Sequence, residues 1–187
     1  MWLNGVRNGA IATNGLRAAK TDKEQAMTFS LRESVHLVSD PRNLEASVEE
    51  VFQLMLGVHC VANDCSPAAE DESVTAVVGF GGALSGACVF RSGGSAARKI
   101  AERMTGTEFS EIDDTVKDAI GEICNMLAGC WKGKVPHLAA NCGLSVPAVI
   151  SGSNYQLHVQ APEFRLDRAY RIDGACFDVT IICDGLQ

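Results

Sequence analysis

The sequence has no uninterrupted apolar run long enough to cross a bilayer, although 47% of its 187 residues are hydrophobic. A membrane-spanning helix needs roughly 20 consecutive apolar residues, so the composition indicates a soluble, globular chain. Basic residues are also few, because 16 Lys and Arg stand against 23 Asp and Glu, for a net charge of −7. This surplus of acid argues against nucleic acid as a partner and suits a protein partner with a basic face.

Patterns typical of metal sites are missing as well. No CxxC pair occurs, and the four histidines are scattered along the chain. Several of the eight cysteines lie within apolar runs, such as Cys88 in GACVF and Cys183 in TIIC. Cysteines in such runs are typical of buried free thiols in a reducing compartment. The sequence therefore predicts no metal, no cofactor of its own and no disulfide, and it favours the cytoplasm.

Two common catalytic motifs are absent. The only Gly-Lys pair is followed by Val135 rather than by Ser or Thr, which excludes a P-loop. The stretch GLSVP at 143–147 ends in Pro147, where a nucleophile elbow requires Gly. Nucleotide hydrolysis and serine hydrolysis therefore have no support in the sequence.

The length and the charge distribution predict a single domain preceded by an arm. A chain of this size closes one ordinary core. Residues 1–26 carry a net charge of +2, which leaves −9 for residues 27–187, and patterned sequence begins directly after Met27. We therefore expect residues 1–26 to be a disordered arm or a mis-called start, and residues 27–187 to form one domain.

The spacing of apolar residues predicts helices in pairs and strands in runs. Helices are expected at 43–56, at 94–105 and from a Ser110 cap to about Trp131. Strands are expected at 74–80, 83–90, 144–150, 155–160, 169–174 and 175–184. This order is typical of an α+β layer fold with long helices packed on a largely antiparallel sheet.

The third predicted helix has two opposite faces. At about 100° per residue, its apolar residues fall within about 30° of one direction; they are Val116, Ile120, Ile123 and Leu127. The opposite side is expected to expose Asp118, Glu122 and Asn125, at spacings of three and four that let neighbours act together. An ordinary solvated helix face has the same pattern, so the surrounding sequence has to distinguish the two.

The wider sequence resembles a known signature. Asp118-Ala-Ile-Gly-Glu122-Ile-Cys-Asn125, followed by a distant Pro147, resembles the motif of the CheX/CheC/FliY chemotaxis phosphatase family. That motif has Asp or Ser, then Glu four residues on, Asn three further and a later Pro. The 21 residues between Asn125 and Pro147 are about one fewer than the family spacing. VEEVFQLMLG and VVGFGGALSGACVF are similar to the family's first long helix and its glycine-marked hairpin, so the resemblance covers residues 40–184.

The chain resembles the CheX branch of this family. CheC-like members carry two ExxN helices and CheX-like members carry one, and here neither Glu49 nor Glu50 has an Asn three residues later. The resemblance implies a CheC/CheX-like two-layer fold and a homodimer formed through sheet edges. We expect a strand such as ACFDVTIIC to hide its edge against the second copy.

The resemblance also implies a reaction, namely dephosphorylation of the aspartyl phosphate of a CheY-like response regulator. The receiver supplies its own Mg²⁺ and Lys, so the missing ingredient is an aligned water. Asn125, whose amide both donates and accepts, would orient that water, and Glu122 would bind a receiver lysine. Asp118 and Pro147 would play supporting roles.

Two other classes of function remain open. A domain of the same fold could bind a receiver or a motor component as a scaffold, without hydrolysis. A small-ligand sensor would need a convergent pocket, which a sequence does not reveal.

Overall fold

The computed structural model describes residues 36–63, 65, 72–158 and 162–186, so the expectation for residues 1–26 lies outside the described residues. The described chain has helices and a largely antiparallel sheet, which confirms the α+β prediction. Nearly all of its buried apolar residues form one cluster that extends from Val38 to Cys183. The described parts of residues 27–187 therefore share a single core.

Four helices have both ends within the described residues: α1 (Pro41–Leu56), α2 (Gly94–Thr105), α3 (Asp114–Gly133) and α4 (Pro136–Asn141). Residues 36–39 are helical as well. Helix α1 ends at Gly57, whose φ of 66° is the left-handed conformation that favours glycine. Helix α4 lies in a stretch for which the sequence predicts neither a helix nor a strand. Pro lacks an N–H and suits the first turn of a helix, where that donor has no partner. No helix within the described ranges is long and apolar enough to span a membrane.

Six strands form one antiparallel sheet: β1 (Ser73–Gly82), β2 (Leu84–Gly93), β3 (Cys142–Leu144), β4 (Ala148–Gly152), β5 (Phe164–Ile172) and β6 (Ala175–Leu186). The order is β3-β1-β2-β6-β5, and β4 pairs with β1 on the same side as β3. Strand β6, which contains ACFDVTIIC, thus lies between β2 and β5. Our expectation that this segment forms a sheet edge was wrong, because both of its sides are already paired.

Two predicted strands differ in the structure. The stretch 144–150 is divided, because residues 145–147 lie between β3 and β4. Residues 155–158 form no strand, and residues 159–160 of the same prediction lie outside the described residues. Strands β4 and β5 lie at opposite edges of the sheet, so the connection between them has to cross it. The Tyr155 hydroxyl hydrogen-bonds to the Thr75 hydroxyl at 2.8 Å, which places Tyr155 on the face without helices.

Cys65 and Cys176 form a disulfide, so the prediction of free thiols was wrong for this pair. It holds for the other six cysteines. The Asn63 N–H donates to the Ala169 carbonyl at 2.9 Å, which fixes the neighbourhood of Cys65 beside the β5–β6 hairpin. The two cysteines are 111 residues apart in the chain, so their sequence positions do not indicate that they are neighbours in the fold.

The cap of helix α3 is Asp113 rather than Ser110. Helix α3 begins at Asp114, and an Asp113 Oδ1 oxygen accepts a hydrogen bond from the Val116 N–H at 2.9 Å. The prediction of a Ser110 cap was therefore wrong by three residues. Ser110, Asp113 and Asp114 are all residue types that cap helices, so the sequence left the position ambiguous.

We expect Asp113→Ala to lower the free energy of unfolding by about 1 kcal/mol, because it removes the partner of a helix N–H. Ser110→Ala, the matched control, should change it by less than about 0.5 kcal/mol. Chemical denaturation of both variants provides the measurement. Equal losses for the two variants would contradict the assignment of the cap.

Candidate functional site

Helix α3 is fixed on the sheet by its apolar face. The four residues predicted for this face are fully buried, which confirms that prediction; they are Val116, Ile120, Ile123 and Leu127. Near the end of the helix, the buried Trp131 ring lies 5.3 Å from that of Phe80 on β1. The buried Cys124 thiol donates weakly to the Ala76 carbonyl at 3.5 Å. The helix is therefore a rigid platform for its other face.

The three polar residues lie on the side of α3 away from this packing. Asp118 and Glu122 are exposed and Asn125 is half-buried. Within the described residues, none of the three side chains makes a hydrogen bond or an ion pair. Neighbours three and four apart on a helix have Cβ atoms about 5–6 Å from each other. The site is thus a compact group of two carboxylates and one amide, all available to a partner.

The structure brings Pro147 to the same turn of α3. A Cβ atom built on Gly121 would lie 3.4 Å from Pro147 Cβ and 3.2 Å from Val149 Cγ2. Gly121 directly precedes Glu122, so the segment that contains Pro147 borders the polar face. Sequence reasoning did not select Gly121, although a glycine inside a helix costs about 0.5–1 kcal/mol relative to Ala and signals a close approach.

Ser145 holds this bordering segment on the sheet. Its hydroxyl accepts from the Gly79 N–H at 2.8 Å and donates to the Val146 carbonyl at 2.8 Å. Its own N–H donates to the Gly79 carbonyl at 2.9 Å. In the sequence, Ser145 is noted only as part of a stretch that does not match a nucleophile elbow. Its contacts with Gly79 depend on the fold, because the two residues are far apart in the chain. The link from β3 to β4 therefore has a fixed position beside α3.

The site projects outward rather than enclosing a substrate. A cavity of about 820 Å³ exists, but it lies on the helix-free face of the sheet. Among the described residues, no group of three or more His, Cys, Asp and Glu is arranged to hold a metal ion. A protruding amide and carboxylates suit insertion into a partner's own site, where the amide can hold a water and a carboxylate can bind a cationic side chain.

Comparisons with known proteins agree on one family. The sequence model described as "Chemotaxis phosphatase CheX" matches residues 74–167, just over half of the chain. A curated protein of Thermotoga maritima, "CheY-P phosphatase CheX", is 29% identical over 118 residues, which are 61% of this chain and 76% of that protein.

Solved structures show the same fold. The chemotaxis protein CheX from Desulfovibrio desulfuricans matches with a TM-score of 0.64 and 19% identity, over 76% of this chain and 97% of that one. The CheX chain of a CheX-CheY-BeF₃-Mg²⁺ complex from Borrelia burgdorferi matches with a TM-score of 0.62 and 19% identity. That match covers 79% of this chain and 99% of the other.

We expect Gly121→Val to lower the free energy of unfolding by about 1–3 kcal/mol, because the added methyl groups overfill the contact with Pro147 and Val149. Gly133→Ala is the control, since Gly133 lies on the same helix and a Cβ there meets no atom within 4 Å. It should leave stability unchanged or raise it by up to about 1 kcal/mol. Thermal and chemical denaturation give both values, and a Gly121→Val variant as stable as the parent would refute the close approach.

Proposed function

Because this chain belongs to the CheX family of chemotaxis phosphatases, we propose that it dephosphorylates the aspartyl phosphate of a CheY-like response regulator. Two relatives support the choice of substrate. The Thermotoga protein carries the name of a CheY-P phosphatase, and the Borrelia CheX was solved together with CheY.

The observation that carries the proposal is the free amide of Asn125 beside the free carboxylate of Glu122, on the outward face of a fixed helix. Neither side chain has to break a bond to a described residue before it contacts a partner. An outward site cannot surround a small substrate, but it can enter the receiver's site and complete it. Buried contacts hold the helix in place, so Asn125 and Glu122 are already positioned before a partner binds.

In the proposed reaction, a water oxygen attacks phosphorus in line with the bond to the aspartyl oxygen. The new P–O bond forms as the old one breaks, which leaves the aspartate carboxylate and inorganic phosphate. The Asn125 amide orients the water, much as a glutamine does in GTPases. This protein contributes alignment, because the phosphoryl group is already activated as a mixed anhydride.

Glu122, Asp118 and Pro147 help to bind and position the receiver in this proposal. Glu122 accepts a charge-assisted hydrogen bond from a receiver lysine and sets the register of docking. Asp118, one turn earlier, adds negative charge that attracts a basic receiver face. Pro147 borders the site, and the missing side chain at Gly121 leaves room for it there.

No metal of this protein's own takes part in the proposed reaction. The Borrelia complex contains Mg²⁺ together with CheY and BeF₃. We assign the cation to the receiver in this case too. A sample treated with chelator, freed of it and then mixed with Mg²⁺-loaded phosphorylated receiver should retain full activity.

We expect Asn125→Ala to reduce phosphate release from a phosphorylated receiver by roughly a hundredfold, because the attacking water loses its alignment. Its free energy of unfolding should change by less than about 0.5 kcal/mol, since the side chain has no partner to lose. Asn141→Ala is the control, because the Asn141 side chain is exposed and its amide donates to the His137 carbonyl.

Phosphate release should be measured against a panel of receivers from the same genome. Near-parental turnover of Asn125→Ala would refute the role of Asn125. If the parent protein binds phosphorylated receiver but releases no phosphate, it is a scaffold of the same fold and not a phosphatase.

We expect Glu122→Gln to weaken binding of the phosphorylated receiver by about tenfold, because the hydrogen bond to lysine loses its charge. Added salt should weaken the parent in the same direction and affect the variant less. Glu111→Gln is the control, since Glu111 is exposed and precedes the helix. If affinity stays constant while turnover falls, Glu122 acts in the chemical step instead.

We propose a homodimer formed at the free edge of β4. Strand β5, at the other edge, is partly covered, because Ala62 bridges Tyr170 and the Asn63 N–H donates to Ala169. Strand β4 pairs with β1 on one side and exposes 46% of Ile150. An exposed strand edge with apolar side chains favours pairing with a second copy.

Light scattering in the micromolar range should report about twice the chain mass of 19.9 kDa. Ile150→Lys should shift the mass toward the monomer, because charge on an edge strand opposes pairing. Leu54→Lys, which places the same charge on the exposed side of α1, should not. A monomeric parent protein would disprove this assembly.

A further inference from the structure

A cleft occupies the helix-free face of the sheet, on the side opposite α3. We call it the sheet cleft; its floor contains Thr75, Val89, Arg91, Asp178, Thr180 and Ile182. One wall contains Tyr155 and Leu157, which follow β4 in the chain. The other wall is formed by residues 62, 63 and 65 beside β5. Its volume of about 820 Å³ falls in the range of small-molecule sites.

Both walls are fixed to the sheet. The Tyr155 hydroxyl hydrogen-bonds to Thr75 at 2.8 Å. On the other side, Cys65 is tied to Cys176 of β6 by the disulfide. As a result, Thr75 is 1% exposed although it faces away from the core, and Thr180 is 8% exposed. The sheet cleft is therefore a formed depression and not a bare stretch of sheet.

Most charges in the sheet cleft already have partners. The Asp167 carboxylate accepts hydrogen bonds from the Arg165 guanidinium at 2.8–3.0 Å and from the Thr180 hydroxyl at 2.7 Å. The Arg168 guanidinium pairs with Glu45 at 3.2 Å. The charges of Asp167, Arg165 and Arg168 therefore all have partners within the protein.

Arg91 and Asp178 differ, because their charges attract each other without a hydrogen bond between them. They are direct cross-strand partners in the register of β2 and β6, so their side chains leave the sheet next to each other. Within the described chain, neither side chain makes a hydrogen bond, and no ion pair joins them. Burial raises the pKa of the Asp178 carboxyl, while the Arg91 charge opposes that effect. The floor thus presents an anion receptor and a cation receptor side by side.

We propose that the sheet cleft binds a free α-amino acid, with its carboxylate on Arg91, its ammonium on Asp178 and its side chain toward Tyr155 and Leu157. The two receptors are adjacent, so they match a ligand whose opposite charges are separated by a single carbon. A simple anion satisfies Arg91 alone and leaves Asp178 half-buried without a donor. A long peptide has its termini too far apart to satisfy both.

This site is separate from the proposed phosphatase face. Asp118, Glu122 and Asn125 lie on α3, and the sheet stands between that helix and the sheet cleft. The inference therefore does not depend on the proposed function, and its test needs no receiver.

The test is a calorimetric titration of the full chain with each of the twenty free amino acids at millimolar concentration. The best ligand is then compared with its N-acetyl derivative, which lacks the ammonium, and with its amide, which lacks the carboxylate. We expect both derivatives to bind at least about tenfold more weakly, because each loses one charge-assisted contact. No binding by any free amino acid, or equal binding of the N-acetyl derivative, overturns the proposal.

Variants locate the site. Arg91→Gln and Asp178→Asn should each weaken binding by at least about tenfold. Arg171→Gln is the control, since Arg171 is exposed on β5 and does not line the sheet cleft. Melting curves without ligand verify that all three variants fold. If Asp178→Asn binds as tightly as the parent, the ammonium receptor is refuted.

Discussion

The packing of α3 on the sheet is the constraint that determines how its polar face is oriented. Its apolar face is completely buried, and Cys124 and Trp131 add contacts to β1. A helix with one face buried cannot rotate, so the direction of Glu122 and Asn125 is fixed by the buried residues on the opposite side of α3. Removing water from that apolar face supplies the free energy for this orientation, since each large buried side chain contributes roughly 1.5–3 kcal/mol.

The close approach at Gly121 extends this constraint to the surrounding chain. Without a side chain at this position, the link between β3 and β4 can lie against the helix, and Ser145 ties the same link to Gly79. Helix, link and sheet therefore form one packed unit around the polar face. A docking partner meets a surface whose parts are already ordered, which reduces the entropy lost on binding.

The two faces of the sheet have different chemistry for a topological reason. The helices cover one face, and apolar residues alternate toward them along every long strand. The other face keeps polar residues such as Thr75 and Asp178, and among the described residues Tyr155, Leu157 and the residues near Cys65 lie over it. That coverage converts a solvated sheet face into a cleft, on the side of the sheet opposite α3.

The sequence by itself determined the class of fold, the helix boundaries of α2 and the division of α3 into buried and polar faces, because these depend on local periodicity. It also determined the family, through Glu122, Asn125 and their spacing. Only the tertiary structure decided that Pro147 lies close to Gly121, that Cys65 pairs with Cys176, that β6 is interior and that Tyr155 lies over Thr75 on the helix-free face. Each of these depends on which distant segments come into contact, and spacing along the chain does not encode that proximity.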